Sequence, residues 1–288
     1  MEKVKFVKMT GAGNDFIIID SDNNGSLTNI IGNIKNLCDR KYGIGADGVI
    51  TISNSNDYDF LMEYFNADGS TGSLCGNGAR CAIKYAEDSK RVTDSKVKFL
   101  SNGVEYSGNI FPGGKYRLNL NPPKDMKINM MVDIFSNKFD YDFIDTGSPH
   151  VIINIDKLKK TVLNKEIFFN NLNDFPVFKL GREIRNHKNF YPNGTNVNFI
   201  RIRENKIFIR TYERGVENET LACGTGSAAA ALIAGIHYKL VPPVSLITHG
   251  GEELIVDFEM EDEKFHEISL TGPAITVFSG EFSLNNFD

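Results

Sequence analysis

The sequence predicts an α+β fold made of two related halves, and three observations support this prediction. Strand-like segments fill most of the chain, whereas helical patterns are few and lie between them. The longest helical pattern, roughly residues 226–238, is apolar on every side, as is typical of a helix buried all round, here by sheet. The motif Cys-Gly-x-Gly occurs at Cys75 and again at Cys223, 148 residues apart (223 − 75). This offset is about half the chain and indicates a domain duplication.

The composition sets the class of protein. The 288 residues allow one large domain or two of ordinary size, and 41% hydrophobic and 24% charged residues are ordinary for a soluble globular chain. The net charge of −5 and the lack of a basic stripe argue against nucleic-acid binding. No stretch reaches membrane-spanning length, and the first 20 residues lack the pattern of a secretion signal. We therefore expect a cytoplasmic protein without a membrane or nucleic-acid partner.

In the first half, short apolar segments bounded by glycine-rich turns predict strands. The predicted strands cover residues 4–9, 16–20, 49–52, 58–65, 97–100, 104–110 and 116–120. Apolar residues at helical spacing predict a helix over residues 27–40, and a short helix is predicted over 79–87, after the Cys75 loop.

Residues 121–139 begin with a proline pair and have no clear hydrophobic period, so we place a domain boundary there, with lobes at 1–125 and 126–271. The second half is again rich in strands, and one long helix, over residues 226–238, interrupts it. The predicted strands cover residues 143–145, 151–155, 197–202, 207–212, 244–248, 254–258, 268–270 and 275–278.

Both cysteines stand where a glycine loop opens a helix rich in alanine. Unpaired N–H groups and the helix dipole at such a place bind anions and stabilise a thiolate, whose pKa can fall to roughly 3.5–7.5. A thiolate and a thiol on opposite faces of a carbon form an acid–base pair that inverts a centre next to a carboxylate. The two helix N-termini would stabilise the charge that the proton leaves behind. The loops thus predict proton transfer without a cofactor on a small-molecule amino acid, with Cys75 and Cys223 as catalytic residues.

Other interpretations of the glycines and cysteines stay open. Residues 43–48 match the dinucleotide pattern GxGxxG, but a predicted helix precedes them and a strand follows, the reverse of what nucleotide binding requires. No cysteine or histidine cluster has the spacing of a zinc site, so no metal is expected. A disulfide between Cys75 and Cys223 on oxidation is a further alternative, and it would inactivate the protein. Cys38 and Cys81 are interpreted as core packing.

Several further segments complete a recognisable pattern. They are TGAGNDFIIID (10–20), YGIGADGVI (42–50), YFNADGS (64–70), CGNGARC (75–81), GSPH (147–150), TNVNF (195–199), YERGVENETLACGTGSAAAA (212–231) and LTGPA (270–274). Over most of the chain this set resembles the diaminopimelate epimerase family, which interconverts LL- and meso-2,6-diaminopimelate in lysine and peptidoglycan precursor synthesis. GNGARC and ERG…ACGTG at this spacing are highly specific for the family.

The resemblance implies two similar lobes, each a mixed β-sheet curled around a central helix, with the active site in the cleft between them. It implies that Cys75 and Cys223 form the acid–base pair, that His150 and Glu213 tune the thiols, and that no cofactor or metal takes part. It also implies a homodimer, and a first lobe completed by residues 272–288. The implied substrate contacts are Asn14, Asn66, Gly76, Asn77, Asn196, Glu213, Arg214, Gly224 and Thr225.

Two positions depart from the family's pattern. Many members carry Gln where this chain has Gly48, and Asn where it has Ser148. Gly48 can offer only backbone to a substrate, and Ser148 offers a shorter donor than Asn.

Two other functions stay open at this point. A proline-type racemase shares the paired cysteines, but a small ring substrate would want an apolar pocket rather than Asn66, Asn196 and Arg214. A non-catalytic phenazine-type homologue keeps the fold but commonly lacks one or both cysteines.

Overall fold

The computed structural model describes residues 3–24, 27–72, 74–158, 171–262 and 264–283. The chain divides into two compact units, here termed the first and second lobes. The first lobe comprises the described residues up to Asn119 and those from Thr271 onward, and the second lobe comprises Leu120–Leu270. Within the described ranges, no helix is both long and apolar enough to cross a membrane.

Up to Asn119, the described residues of the first lobe form seven strands and three helices. The strands are β1 (Lys3–Gly11), β2 (Asn14–Asp20), β3 (Gly48–Ser53), β4 (Phe60–Asn66), β5 (Lys96–Ser101), β6 (Val104–Phe111) and β7 (Lys115–Asn119). The helices are α1 (Leu27–Gly32), α2 (Ile34–Cys38) and α3 (Gly76–Asp88). Side chains alternate as a half-buried strand requires: in β1, Val4 and Phe6 are buried while Lys3 and Lys5 are exposed.

The described residues of the second lobe form nine strands and two α-helices. The strands are β8 (Met126–Ile134), β9 (Asn137–Asp145), β10 (Pro149–Asn154), β11 (Asn196–Arg203), β12 (Lys206–Glu213), β13 (Asn218–Thr220), β14 (Val244–Ile247), β15 (Glu253–Glu261) and β16 (Lys264–Pro273), the last running over the boundary at residue 271. The helices are α4 (Val177–Arg185) and α5 (Gly224–Tyr238). A final strand, β17 (Ile275–Ser283), pairs with β1 and belongs to the first lobe.

The two lobes repeat one order of strand pairing. From β1 to β6, successive neighbours pair antiparallel, parallel, antiparallel, parallel and antiparallel. The strands β9, β10, β11, β12, β14 and β15 pair in the same alternation. A parallel pair needs a crossover connection, and a helix supplies it in both lobes: α3 between β4 and β5, and α5 between β12 and β14. This repeat confirms the predicted α+β fold with two similar halves.

Each crossover helix packs against most of the strands of its own lobe. Helix α3 contacts β1, β2, β3, β4, β6 and β7, and α5 contacts β9, β10, β11, β12, β14 and β15. Every residue of α5 from Gly226 to Gly235 is buried, as its uniformly apolar sequence predicts. Small alanine side chains allow the surrounding strands to approach the helix closely. The first residues of the two helices, Gly76 and Gly224, are buried by this packing.

The prediction of one helix over residues 27–40 is wrong, since two short helices are broken at Asn33. The apolar spacing nonetheless marks the buried face, because Ile30, Ile34 and Leu37 are all buried. The glycine-rich segment at 43–48 lies between α2 and β3, and Gly45 has a positive φ of 79°. It forms the expected turn, with helix before and strand after.

The elements that were not predicted include β8 and α4. Residues 121–139 contain β8, in which Ile128, Met130 and Met131 are exposed and only Val132 and Ile134 are buried, so the sequence shows little alternation. Helix α4 carries a glycine at its centre, which weakens a helical pattern. Gly181 is there because α4 packs closely on β12: a Cβ at this position would lie 2.4 Å from the Cβ of Tyr212.

Candidate active site

Both cysteines stand one residue before the crossover helix of their lobe. The backbone is extended at Cys75 (φ −86°, ψ 115°) and at Cys223 (φ −123°, ψ 115°). Each carbonyl accepts the first hydrogen bond of its helix, from Ala79 N at 2.8 Å and from Ser227 N at 2.9 Å. Gly76 and Gly224 open the helices, where backbone N–H groups lack intrahelical acceptors. The two thiols therefore lie beside the positive ends of helix dipoles.

The other two cysteines have a different environment. All four cysteines are thiols rather than halves of a disulfide. Burial raises the pKa of Cys38 to about 12 and that of Cys81 to about 12, so neither forms a thiolate near neutral pH. Their interpretation as packing residues agrees with this environment.

The second glycine of each loop sits against the strand below it. A Cβ at Gly78 would lie 2.9 Å from Cδ1 of Ile50, and a Cβ at Gly226 would lie 2.4 Å from Oδ1 of Asn198. Ile50 is the third residue of β3, and Asn198 is the third residue of β11. The two lobes therefore use glycine for the same close approach, against an apolar side chain in one lobe and a polar side chain in the other.

In the first lobe, the loop after Cys75 is tied to the turn between β1 and β2. Nδ2 of Asn77 donates to Oδ1 of Asn14 at 2.5 Å, and NH2 of Arg80 donates to Oδ1 of Asn77 at 2.8 Å. Nδ2 of Asn14 donates to Oδ2 of Asp47 at 3.0 Å. Asn66, at the end of β4, donates from Nδ2 to Oγ of Ser70 at 3.0 Å. The structure thus brings Asn14 and Asn77 together beside the Cys75 loop.

Gly48 has no room for a side chain. A Cβ there would lie 2.7 Å from Cε2 of Tyr64 and 2.5 Å from the carbonyl oxygen of Phe65. A Cβ at Gly72 would lie 2.5 Å from Cε1 of the same Tyr64 ring. The tyrosine ring fills the space that a longer residue at position 48 would need, so Gly48 can contribute only its backbone.

In the second lobe, His150 is fully buried and its tautomer follows from its neighbours. The carbonyl of Val151 can only accept, so the atom of Asn198 that faces it at 3.0 Å is the amide nitrogen. That nitrogen lies 3.1 Å from Nδ1 of His150, which must then accept a hydrogen bond. Neutral His150 therefore carries its proton on Nε2. Burial, with a smaller effect from the charge of Arg214, lowers the pKa of His150 to about 3.

The Nε2–H of His150 reaches two hydroxyl groups. Oγ of Ser148 and Oγ1 of Thr225 each lie 2.9 Å from Nε2 and 3.2 Å from each other. Oγ1 of Thr225 lies 3.6 Å from Sγ of Cys223. A Thr225 hydroxyl that accepts from His150 retains its own hydrogen for the sulfur. The structure therefore connects His150 to Cys223 through Thr225 and includes Ser148 in the same network.

Glu213, Arg214 and Asn196 lie at the ends of β12 and β11 in the same lobe. Oε2 of Glu213 accepts from Oγ1 of Thr220 at 2.9 Å. Oδ1 of Asn196 accepts from the backbone N–H of Arg214 at 2.8 Å, and its Nδ2 donates to the carbonyl of Pro149 at 3.0 Å. Asn196 therefore links the backbone of Arg214 to that of Pro149.

Other features of the described residues do not point to a metal site. Among them, no group of three or more His, Cys, Asp and Glu side chains is placed to hold a metal ion. A surface cavity of about 430 Å³ in the second lobe is lined by Arg201, Arg203 and Arg210 among others, and by none of the predicted site residues. The chemistry of the cysteine loops, rather than cavity size, therefore identifies the candidate site.

Sequence reasoning missed the residues that hold the predicted contacts in place. Asn198 is a buried amide between the buried Val197 and Phe199, and Arg80 is a fully buried cation at the fifth residue of α3. A polar residue inside an apolar strand is a signal that was present in the sequence. Asp47 gave no such signal, because acidic residues in turns are common.

Solved structures share this fold. A hydroxyproline epimerase from Agrobacterium vitis matches with a TM-score of 0.71 at 12% identity, over 98% of this chain and 93% of that chain. A phenazine biosynthesis protein of the PhzF family from Bacillus anthracis matches with a TM-score of 0.71 at 14% identity, over 98% of this chain and 100% of that one. At such identities the likeness shows the fold alone, and it agrees with the two-lobed prediction.

Relatives with clear sequence similarity carry one name. Diaminopimelate epimerase from Aquifex aeolicus is 37% identical, with 97% of this chain and 98% of that protein covered. Diaminopimelate epimerase from Chlorobaculum tepidum is 39% identical, with 96% and 100% covered. The family model described as Diaminopimelate epimerase matches residues 6–115 and 143–277, which include both cysteine loops. The chain therefore belongs to the diaminopimelate epimerase family.

Proposed function

We propose that this epimerase interconverts LL- and meso-2,6-diaminopimelate by proton transfer at the α-carbon between two cysteines, without a cofactor or metal, in lysine and peptidoglycan precursor synthesis. One observation carries the proposal: a cysteine precedes the crossover helix at the equivalent point of both lobes. The names of relatives that match nearly the whole chain support the choice of substrate.

In the proposed mechanism, one thiolate removes the α-proton, so that a C–H bond breaks and an S–H bond forms. The other thiol delivers its proton to the opposite face of the carbon, so that its S–H bond breaks and a new C–H bond forms. The electron pair left on the carbon spreads into the substrate carboxylate, where the N–H groups at the start of α3 and α5 stabilise it. The roles of Cys75 and Cys223 exchange with the direction of the reaction.

The network behind Cys223 supports a tuning role for His150. Because its pKa is lowered to about 3, His150 is a neutral donor and not a source of a mobile proton. By donating from Nε2 to Thr225, it orients the Thr225 hydroxyl to donate to the sulfur, 3.6 Å away. A thiolate accepts that hydrogen more strongly than a thiol does, so the network favours the base form of Cys223. We assign Glu213 a second tuning role from the resemblance and from its fixed position beside Thr220.

The remaining predicted contacts are proposed as substrate-binding groups. Arg214 and Asn66 would recognise the polar groups of diaminopimelate away from the reacting carbon, since Arg binds carboxylates in a fork geometry. Gly76 and Gly224 would contribute backbone N–H groups to the reacting carboxylate. Asn196 would contact the substrate, and its Oδ1 also accepts from the backbone N–H of Arg214 at 2.8 Å. We also propose that the protein is a cytoplasmic homodimer, which size-exclusion chromatography with light scattering tests.

The test is exchange of the α-hydrogen in D2O, with LL-diaminopimelate and proline side by side and no added cofactor. The wild-type protein should incorporate deuterium into diaminopimelate and leave proline unchanged. Cys75→Ala and Cys223→Ala should each lower turnover by about 10²- to 10⁴-fold, the range of general acid–base catalysis. Cys38→Ala is the matched control, because burial keeps that thiol protonated, and it should retain wild-type turnover.

Each part of the proposal has an outcome that contradicts it. Wild-type turnover by either alanine variant would exclude the two-thiol mechanism. A requirement for pyridoxal phosphate would exclude cofactor independence, and turnover of proline instead of diaminopimelate would identify a proline-type racemase.

A further inference from the structure

A chain of hydrogen bonds in the first lobe runs from a cation to an anion through two amides. Arg80 donates to Asn77 at 2.8 Å, Asn77 donates to Asn14 at 2.5 Å, and Asn14 donates to Asp47 at 3.0 Å. Arg80 also donates from NH1 to the carbonyl of Gly76 at 3.3 Å, which joins the chain to the first turn of α3. The chain therefore ends directly beside the Cys75 loop.

The charged ends fix the direction of both amides. A carboxylate can only accept, so the nitrogen of Asn14 faces Asp47 and its oxygen faces Asn77. A guanidinium can only donate, so the oxygen of Asn77 faces Arg80 and its nitrogen faces Asn14. Neither amide can turn over without breaking two bonds. The charged ends thus decide which groups Asn14, the less buried of the two, presents to a ligand.

Asp47 is itself held from two sides. Its Oδ1 accepts from NH2 of Arg40 at 2.7 Å, and its Oδ2 also accepts from the backbone N–H of Asp15 at 3.2 Å. Arg40 binds both carboxylate oxygens of Asp15, at 2.6 and 3.0 Å, and Lys8 pairs with Asp15 at 2.7 Å. The carboxylate that receives Asn14 is therefore anchored on the body of the lobe.

The turn and the helix are also packed too tightly for the amides to shift together. A Cβ at Gly11 would lie 2.7 Å from the carbonyl oxygen of Asn77 and 3.2 Å from Sγ of Cys81. Asn77 is 1% exposed and Arg80 is fully buried. Loss of the acceptor at Asp47 would therefore misorient Asn14 without displacing helix α3.

We propose that Asp47 is a positioning residue, which acts through Asn14 to set the amide group that Asn14 presents to substrate. The proposal deepens the function proposed above and rests on it for the identity of the ligand. It assigns Asp47 no contact with the substrate.

The test is a double-mutant cycle with Asp47→Asn and Asn14→Ala, read as kcat/KM for LL-diaminopimelate. In Asp47→Asn one side-chain oxygen must serve Arg40, Asn14 and Asp15 N–H, so Asn14 loses its fixed acceptor. We expect kcat/KM to fall about tenfold, mainly because KM rises. This is the size expected for the loss of one hydrogen bond to a charged group. On the Asn14→Ala background, Asp47→Asn should cause no further loss.

Arg40→Gln is the matched control, because it removes the ion pairs of Arg40 with Asp47 and Asp15 and leaves the bond from Asn14 to Asp47 intact. It should stay within about threefold of the wild-type kcat/KM, because exposed ion pairs contribute little. A wild-type rate in Asp47→Asn overturns the proposal. So do losses that multiply in the double variant, because they would show that Asp47 acts independently of Asn14.

A second readout requires no turnover and separates this proposal from the proposed function. In protein labelled with ¹⁵N-asparagine and free of substrate, the side-chain amide resonances of Asn14 and Asn77 should move in Asp47→Asn and stay unchanged in Arg40→Gln. Unchanged resonances in Asp47→Asn overturn the positioning role even if the wild-type protein has no activity on diaminopimelate. Moved resonances in an inactive wild-type protein would overturn the proposed function alone.

Discussion

The loops that follow Cys75 and Cys223 share a backbone and differ in what surrounds it. Around the first loop, two amides run between the charged side chains of Arg80 and Asp47. Around the second loop, a neutral buried imidazole and two hydroxyls take the corresponding place. The residue two positions after the cysteine is Asn77 in one lobe and Thr225 in the other. The Thr225 hydroxyl lies 3.6 Å from the sulfur of its own cysteine, Cys223.

The comparison separates the backbone features that the two lobes share from the side chains that differ between them. The strand order, the crossover helix and its first N–H groups come from the shared architecture, and they favour a thiolate equally in both lobes. The side chains then bias the two thiols separately. In the proposed mechanism, two cysteines that exchange roles need a similar backbone, whereas discrimination between two ends of a substrate needs different side chains. The structure has a similar backbone at the two cysteine loops and different side chains around them.

The largest effect that distinguishes the loops should come from their second glycines. In Gly226→Ala the new methyl group would meet Oδ1 of Asn198 at 2.4 Å and displace the amide that fixes the tautomer of His150. We expect kcat/KM to fall about 10²-fold, as for misplacement of a catalytic group by about 1 Å. In Gly78→Ala the contact is with the flexible end of Ile50, at 2.9 Å, and the loss should be several times smaller. Equal losses in a diaminopimelate assay would refute the asymmetry.

A smaller effect is expected from the Thr225 hydroxyl. Thr225→Val keeps the shape of the side chain but removes the donor to Cys223, so kcat/KM should fall about tenfold. The pH at which Cys223 is half-alkylated by iodoacetamide should rise, while that of Cys75 should stay constant. Thr225→Ser retains a hydroxyl and should restore both properties towards the wild type. A shift at Cys75 of the same size would mean that Thr225 does not act on one thiol alone.

The last expected effect, which is the smallest at neutral pH, concerns stability rather than activity. The folded pKa of His150, about 3, lies below its unfolded value of 6.5, so the unfolded chain binds more protons between these pH values. The second lobe should therefore lose stability as the pH falls from 6.5 towards 3, by up to about 1.4 kcal/mol for each pH unit. In the first lobe, burial raises the pKa of Asp15, but hydrogen bonds from Arg40 and Lys8 lower it to about 2. Its contribution is lost only between pH 3.8 and 2.

Hydrogen–deuterium exchange across this pH range checks the order in which the lobes weaken. Peptides of the second lobe should lose protection first, near pH 6, and His150→Gln should remove that early loss. Simultaneous loss in both lobes above pH 4 would contradict the assignment to His150.

The sequence predicts the elements whose patterns are local. The buried face of α5, the alternation of β1 and the position of both cysteines at helix starts each follow from a few neighbouring residues. Local patterns do not predict helix α4 or strand β8. Gly181 is required by its close approach to Tyr212 on β12, and most side chains of β8 are exposed. Helix α4 packs against β12, which is distant in the sequence, whereas β8 pairs with the adjacent β9 but lacks an alternating pattern.

The candidate site divides in the same way. The loops and the residues at strand ends are visible as motifs, and the structure places Asn14 beside Asn77 and His150 beside Thr225. Asn198 and Asp47 were not predicted, because their importance lies in which atom of a neighbour they face. The orientation of a side-chain amide depends on its hydrogen-bond partners in the folded protein, so no periodic pattern in the sequence predicts it.

Strand β17 places a constraint on how the chain is made. Ser283 pairs with Lys3, and Phe282 pairs with Val4, although the whole second lobe separates them in the sequence. On the ribosome, the sheet of the first lobe must wait for β17 until the second lobe has been synthesised, and the edge of β1 stays open meanwhile. Folding of the second lobe shortens the loop that this late pairing must close. Maturation should therefore proceed from the middle of the chain outwards, with the first-made lobe the last to be finished.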